Sequence, residues 1–392
     1  MANASFPSYR KISDHLRKLV YYFKLWGIYL TFFKVIGRLP IAPRLFLAYS
    51  RQHILVIGCG QFAFSTLAPR LIRFSIFSPI AYAYDPSFIA QQSFCNAFAS
   101  KPLDPSLIHH SLPLSVRLVY ICSDHASHFD YLKSVLLQGV DAYCEKPVTT
   151  SREQVYELAG ILAHSPSRFF AGYNRPHSPH ISKIRSQFQF LSPQKLYLTF
   201  NIYGHFLDAH HWYRRQGQGS RIYGNVAHWI DLVVHILMWR PTKPHALDLS
   251  IAYLDPHAYD ENLVVRISDG DKFTAHVSFF CLLEPFTGVY ESLEFATDKF
   301  TARVNNFTHL EIDTSTTLHT FRTHRKSAGH AQAIRQPFQS DLRPCIEILL
   351  SELLLADIHG MIASRSTASV FSFESHYLQL ASLLSRSAVS KA

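Results

Sequence analysis

No two of the six cysteines (59, 95, 122, 144, 281 and 345) stand in C-x-x-C spacing. That argues against a zinc site or a disulfide scaffold, and for reduced thiols in a cytoplasmic protein. Charge is scarce: 17% of residues are charged and 48% apolar, the balance of a globular chain and not of a disordered one. No internal repeat with a period of about 20–50 residues is visible, which excludes solenoids and propellers. Acids are almost missing from the first 52 positions, where nine Lys/Arg face only Asp14. That segment carries +8 of the total +10, leaving +2 for the other 340 residues. A nucleic-acid binder would spread its basic charge over the fold, so no nucleic-acid partner is expected. A long uncharged run is missing too. Leu19–Gly37 is rich in Leu, Tyr, Phe and Trp, but Lys24 and Lys34 leave at most nine uncharged residues between them, too few to span a bilayer. No A-x-A pattern follows in a convincing place, so a secretory signal is not expected.

What the chain does have is a clear alternation of strand and helix patterns. Strands are predicted at 53–58, 79–84, 116–122, 141–144 and 169–172, and helices at 63–74, 87–98, 129–138 and 151–164. This βαβα order predicts a doubly wound parallel sheet. After Pro179 the pattern changes to strands at 195–203, 246–254, 263–268, 273–280, 289–296 and 300–305. They are joined by short turns and interrupted by one helix near 225–239; two helices, 342–364 and 374–386, close the chain. The predicted fold is therefore α/β plus α+β. Residues 1–50 form a basic, aromatic extension, 51–172 a Rossmann domain, and 173–392 an α+β domain with a large, mostly antiparallel open sheet.

Three segments carry chemistry. In Val56-Ile57-Gly58-Cys59-Gly60-Gln61-Phe62-Ala63, Gly58 permits a tight turn, Gly60 lets the backbone approach a pyrophosphate, and Ala63 is small enough for close helix packing. The strand before it and the helix after it are the context a dinucleotide site requires. Asp85, 27 residues after Gly58, stands at the end of the next strand, where a carboxylate accepts from the adenosine ribose and repels a 2′-phosphate. NAD(H) is expected over NADP(H). In Glu145-Lys146-Pro147, the lysine sits at the strand edge where ligands of open sheets bind; its bland alternative is a solvated surface lysine. His228 and Asp231, three apart on a helix, share one face. A histidine there can take an alcohol proton as hydride leaves; in a chain with 23 histidines, a satisfied core histidine is the competing reading. His235 reads as structural.

These motifs, with Gly172-Tyr173-Asn174-Arg175 and the His228-Trp229-Ile230-Asp231-Leu232 helix, resemble the Gfo/Idh/MocA oxidoreductases across about residues 51–390. The nearest pattern is that of members with His211-Trp212 followed by Gly219-Ser220-Arg221-Ile222-Tyr223-Gly224. The resemblance implies an NAD(P)-dependent oxidoreductase acting on a secondary hydroxyl or keto group of a sugar, cyclitol or nucleotide sugar. It makes Lys146 the catalytic lysine, His228 the acid/base and Asp231 an acid near the substrate hydroxyls. Gln61, Phe62, Ser123, His128 and Glu145 would face the cofactor; Asn174, Arg175, His211, Trp212 and Arg221 would face the substrate. Surface-polysaccharide or polyol pathways are the usual setting. Two rival readings are a catalytically silent cofactor-binding protein of the same fold and a glycosidase using NAD transiently.

The sequence departs from the family in two places. Gly224 stands four before the histidine, where many members have aspartate, and Pro176-His177 replaces a commoner Arg-aromatic pair. The tract Asp208–Gly219, with His210, His211, Trp212, Tyr213, Arg214 and Arg215, suits a sugar ring bearing an anionic group; a solvated loop is the alternative. Adjacent His210 and His211 point to opposite sides of an extended segment, so no metal is expected. The open sheet is expected to form a homo-oligomer. Residues 1–50 either cover an edge of the core or lie on an anionic membrane at its inner face.

Overall fold

The computed structural model describes residues 9–49, 51, 53–254, 260–286 and 288–389. Residues 1–8 and 50 of the expected extension, and 390–392 of the expected second domain, lie outside the described residues.

The first sheet holds β1 (Ile54–Ile57), β2 (Ile80–Tyr84), β3 (Lys101–Pro102), β4 (Leu118–Ile121), β5 (Asp141–Cys144) and β6 (Phe169–Ala171). Their order is β3-β2-β1-β4-β5-β6, all parallel. β1 and β4 are buried on both faces, which is why they read as continuous apolar runs, Ile-Leu-Val-Ile and Leu-Val-Tyr-Ile. The crossover helices are capped by side chains the sequence supplies: Asp124 accepts from Ser127 N–H and Ser151 from Gln154 N–H. The helix expected at 63–74 is different in kind. Ala63–Leu67 is a π-helical turn, and the α-helix proper is only Ala68–Ile72. Pro69 cannot donate to the carbonyl four residues back, so the regular ladder is interrupted there. Arg73 and Phe74, both left-handed (φ 47° and 64°), end it.

The second sheet has nine strands: β7 (Leu196–Tyr203), β8 (Leu247–Tyr253), β9 (Leu263–Ser268), β10 (Phe273–Phe280), β11 (Tyr290–Thr297), β12 (Phe300–Asn305), β13 (His309–Thr314), β14 (Leu318–Arg322) and β15 (Ala368–Phe371). The order is β14-β13-β12-β11-β7-β10-β9-β8-β15, with β7 and β10 the one parallel pair. β13, β14 and β15 are not among the six strands expected. Leu318–Arg322 is nearly all exposed, so it has no alternating apolar signal to read. β7 alternates buried and exposed residues, with one face on the core and Tyr197 and Tyr203 outward. The core face packs on Pro179–Leu191, Ala227–Leu237 and Cys345–Ser364.

One helix, α1 (Tyr9–Ile36), precedes both sheets and breaks at Gly27, φ 81°. Its stretch Leu16–Ile36 is the one helix among the described residues long and apolar enough to cross a membrane, mean hydropathy 1.3. Lys24 and Lys34 both lie within it. Its contacts tie it to the protein. Lys326 N–H donates to the Leu25 carbonyl at 3.1 Å, Tyr29 Oη donates to Pro69 O at 3.2 Å, and Phe33 is buried against Phe46 and Phe98.

Candidate active site

At the end of β1 the chain turns on Gly58, φ 89°. A Cβ there would stand 2.5 Å from the Cys122 carbonyl and the Ser123 nitrogen just beyond β4, so only glycine fits. Gly60 is the opposite case: no atom lies within 4 Å of where its Cβ would be. Its bare backbone faces a cleft of about 1030 Å³. Gln61 and Phe62 line the same wall, and Ala63 is buried beneath the turn. The Asp85 carboxylate accepts from Cys59 N–H and Ser87 N–H, both at 2.8 Å, which fixes it against the glycine turn. Open backbone at Gly60 beside a fixed carboxylate fits a dinucleotide: room for the pyrophosphate on one side and an acceptor for the ribose on the other.

Ser123, His125, His128, Glu145 and Lys146 line the next wall. His128 is held on both nitrogens, 2.6 Å from the Pro147 carbonyl and 3.0 Å from that of Ser123. Lys146 follows β5, and its Nζ donates to the Gly224 carbonyl at 2.6 Å. The segment after it is pinned from the second domain: Val148 N–H and Thr149 N–H donate to Glu352, which also accepts from Tyr173 Oη at 2.7 Å. Burial pushes the Lys146 ammonium down to about 8, against the pull of Glu145. Burial pushes Glu145 up to about 7.

The opposite wall comes from the second domain. His228, near the start of the helix Ala227–Leu237, lines the cleft, and its Nδ1 is buried with no hydrogen-bond partner among the described residues. Burial, then the charges of Arg175 and Lys146, hold its pKa well below the usual value, so the ring is neutral. Asn174 donates to the Ala328 carbonyl at 2.6 Å; Arg175 donates to Asn174 Oδ1, pairs with Glu291 and lies over the Trp229 ring. Lys326 holds the other Glu291 oxygen at 3.1 Å. Asn174, Arg175, Glu291 and Lys326 all line the cleft.

Residues 52–173 match the Gfo/Idh/MocA family model, described as an oxidoreductase family with an NAD-binding Rossmann fold. The nucleotide-binding region, residues 52–173, is thus similar to that of Gfo/Idh/MocA oxidoreductases. A curated relative, the inositol 2-dehydrogenase of Rhizobium meliloti, is 27% identical over 67 residues, which is 17% of this chain and only 20% of that protein. Solved structures extend the likeness of fold to both sheets. GenD2 from gentamicin A biosynthesis, in complex with NAD, has a TM-score of 0.65 at 15% identity, covering 84% of this chain and 99% of its own. A 3-ketoreductase from Actinomadura kijaniata, with NADP and TDP-benzene, has 0.61 at 16%, covering 80% and 97%.

Three residues expected at the substrate do not line the cleft. Asp231 is fully buried against Arg343, 2.8 Å away, because that guanidinium enters from beside the neighbouring helix Cys345–Ser364. Arg221 turns inward to Glu261 at 2.7 Å and the His205 carbonyl at 2.6 Å, over the Phe279 ring. His211 accepts from Tyr213 N–H and caps a short turn. Trp212 does line the cleft, together with Tyr213. Of the lining residues, His125, Glu291, Lys326, Tyr22 and Trp26 carried no local signal in the sequence. His125 stacks on Tyr213, ring centres 5.0 Å apart. Among the described residues no three His, Cys, Asp or Glu are placed to hold a metal.

Proposed function

We propose that the protein exchanges hydride between NAD(H) and a secondary hydroxyl or keto carbon of a sugar, cyclitol or nucleotide sugar, with Lys146 and His228 at the reacting oxygen. The observation that carries this is the meeting, on one cleft with the Gly60 backbone, of a buried lysine and a neutral histidine with an unpartnered nitrogen. Gly60, Gln61, Phe62, Asp85, Ser123, His128 and Glu145 are the residues that would hold the cofactor, which when bound supplies hydride exchange at nicotinamide C4.

The protein's own part is positioning and proton transfer. The Lys146 ammonium, buried and fixed by the Gly224 carbonyl, has donors left to hydrogen-bond the substrate oxygen and draw negative charge onto it. In the oxidative direction the neutral His228 ring takes the hydroxyl proton as the carbon–oxygen double bond forms; in reduction it returns one. Tyr213, packed on Gly224 and lining the same cleft, brings a hydroxyl whose proton burial holds firmly. Lys18, Lys34, Arg38, Lys146, Arg175 and Lys326 outnumber the acids Glu145, Glu284 and Glu291 around the cleft. That balance favours an anionic sugar, such as a uronic acid or nucleotide sugar, and a place in polysaccharide assembly. Asp85 favours NAD(H). The uncovered face of the second sheet, with Tyr197 and Tyr203, is proposed as the interface of a cytoplasmic homo-oligomer.

The test is nicotinamide absorbance with purified protein against a panel of sugars, uronic acids and nucleotide sugars. Turnover with an anionic sugar is the expected result. NADH binding without turnover across the panel overturns the reading in favour of a silent cofactor binder. Release of a leaving group with no net NADH indicates the glycosidase.

A further inference from the structure

The two sides of α1 do different things. Its inner side, with Lys18, Tyr22, Leu25 and Trp26, lines the cleft, and the Trp26 ring stands edge-on to His330 at 5.9 Å. Its outer side is apolar and bare. Leu16, Val20 and Phe23 before the break, and Ile28 and Phe32 after it, recur at helical spacing and are 62%, 48%, 45%, 71% and 46% exposed.

A second element extends this face. The turn after Ala68–Ile72 carries Phe74 and Ile76, and Phe77 follows in a two-residue strand paired with Leu47–Ala48; they are exposed by 77%, 63% and 42%. Phe74 touches α1 through Tyr29, ring centres 4.5 Å apart. Arg73 and Phe74 both adopt left-handed backbone, which costs a non-glycine residue free energy, and the result is a phenylalanine held out in water. An apolar surface of this extent on a folded chain marks an interaction site.

Charge chooses the occupant. Between Asp14 and Asp85 the chain has no Asp or Glu; Lys18, Lys34 and Arg38 line the cleft and Arg70 lies over the Trp26 ring, which leaves Arg17, Lys24, Arg44, Arg51 and Arg73 as the basic residues of this segment outside the cleft. A second copy meeting this face about a two-fold axis would set cation against cation. A bilayer with anionic headgroups offers apolar depth to the Phe, Ile and Leu side chains and counter-charge to the Lys and Arg around them.

We propose that α1 and the Arg73–Ile76 turn, with Phe77 beside it, form one docking surface that lies flat on an anionic lipid bilayer. The break at Gly27 supports a helix lying along the body: a Cβ there would stand 2.8 Å from the Arg325 Nε, so the helix is shaped to the surface it covers. Because the same helix lines the cleft, docking brings the cleft wall formed by Lys18 and Trp26 close to the headgroups. The surface stands independently of the reaction proposed above.

Vesicle flotation of the full chain tests it, with phosphatidylcholine vesicles with and without phosphatidylglycerol. The expected result is flotation with anionic vesicles only, lost at high salt, and lost in Phe74→Asp and in Ile28→Asp/Phe32→Asp. NADH binding, followed by fluorescence, stays at the wild-type level in these variants and shows that they are folded. Four results overturn the proposal. They are full-length protein left at the bottom of the gradient at low salt, equal flotation with neutral vesicles, flotation that survives both high salt and alkaline carbonate (α1 then inserts), and no vesicle binding with Phe74→Asp converting an oligomer to monomer.

Discussion

The ring of Tyr213 fills the space that a side chain at position 224 would need: a Cβ on Gly224 would stand 2.7 Å from Tyr213 Cδ2 and Cζ. Gly224 also gives its carbonyl to Lys146. Gly224 therefore makes room for the Tyr213 ring while its carbonyl holds the lysine. Tyr213→Phe is expected to lower turnover about 10²-fold, the low end of one acid–base group, with NADH affinity unchanged. Gly224→Asp drives the ring out and should lower turnover as well, while adding Tyr213→Ala to it should recover part of the loss. Wild-type turnover in Tyr213→Phe would leave the phenol as packing only.

Lys146→Ala and His228→Ala are each expected to cost about 10²–10⁴-fold in turnover. His228 lines the cleft with a neutral ring, on the wall opposite the glycine turn, so His228→Ala should leave NADH binding nearly intact. Steady-state kinetics with a fluorescence titration of NADH separates the two effects. Near-normal turnover in both variants removes them from the chemistry.

The pH profile follows from Lys146. Burial brings its ammonium down to about 8, so the donor to a keto oxygen is present below that pH and lost as pH rises through it. The rate of ketone reduction at saturating NADH should fall on the alkaline side near pH 8. Lys146→Arg keeps a charge that does not titrate there and should abolish that limb while keeping a lower plateau. A profile flat to well above pH 9 would mean that the ammonium is not the group being lost (about one unit above the stated value).

Much of this site was legible because its signals are local. The Gly58–Ala63 turn, Lys146 at a strand edge and His228 on a helix each declare themselves within a few residues. The nucleotide sheet was legible for the same reason, since buried parallel strands are unbroken apolar runs. What escaped depends on residues that meet only in the folded chain. Arg175, Glu291 and Lys326 form one ionic group across three distant segments. Asp231 shares a face with His228 by spacing, but Arg343, 112 residues later, claims it. β14 was missed because it buries almost nothing. α1 read equally well as a core cover or a membrane face; the structure shows one side packed on the body and the other bare.

Asp85 is the residue expected to set cofactor choice. Asp85→Ser removes the charge that opposes a 2′-phosphate and should bring NADPH affinity closer to that of NADH. The same change removes the acceptor of Cys59 N–H and Ser87 N–H, so the glycine turn loosens and affinity for both cofactors should fall. Isothermal titration of both cofactors against wild type and variant checks this. Tighter NADPH than NADH binding by the wild-type protein would reverse the assignment.

Asp231 separates a structural carboxylate from a catalytic one. It is wholly buried and paired with Arg343, whose guanidinium also holds Glu347. Burial raises the Asp231 pKa, and Arg343 opposes that rise. In Asp231→Ala the guanidinium keeps Glu347 but loses half its compensation in a site closed to water. Breaking a buried pair in this way costs about 3–5 kcal/mol, and the surviving carboxylate places this case at the lower end. The urea midpoint should fall accordingly, while turnover of the folded fraction at low temperature stays within a few-fold of wild type, because Asp231 does not line the cleft. Asp231→Asn, which keeps the shape and one acceptor, should lie between the two in stability. An unchanged urea midpoint together with a loss of turnover as large as that of His228→Ala would put Asp231 at the substrate and contradict this account.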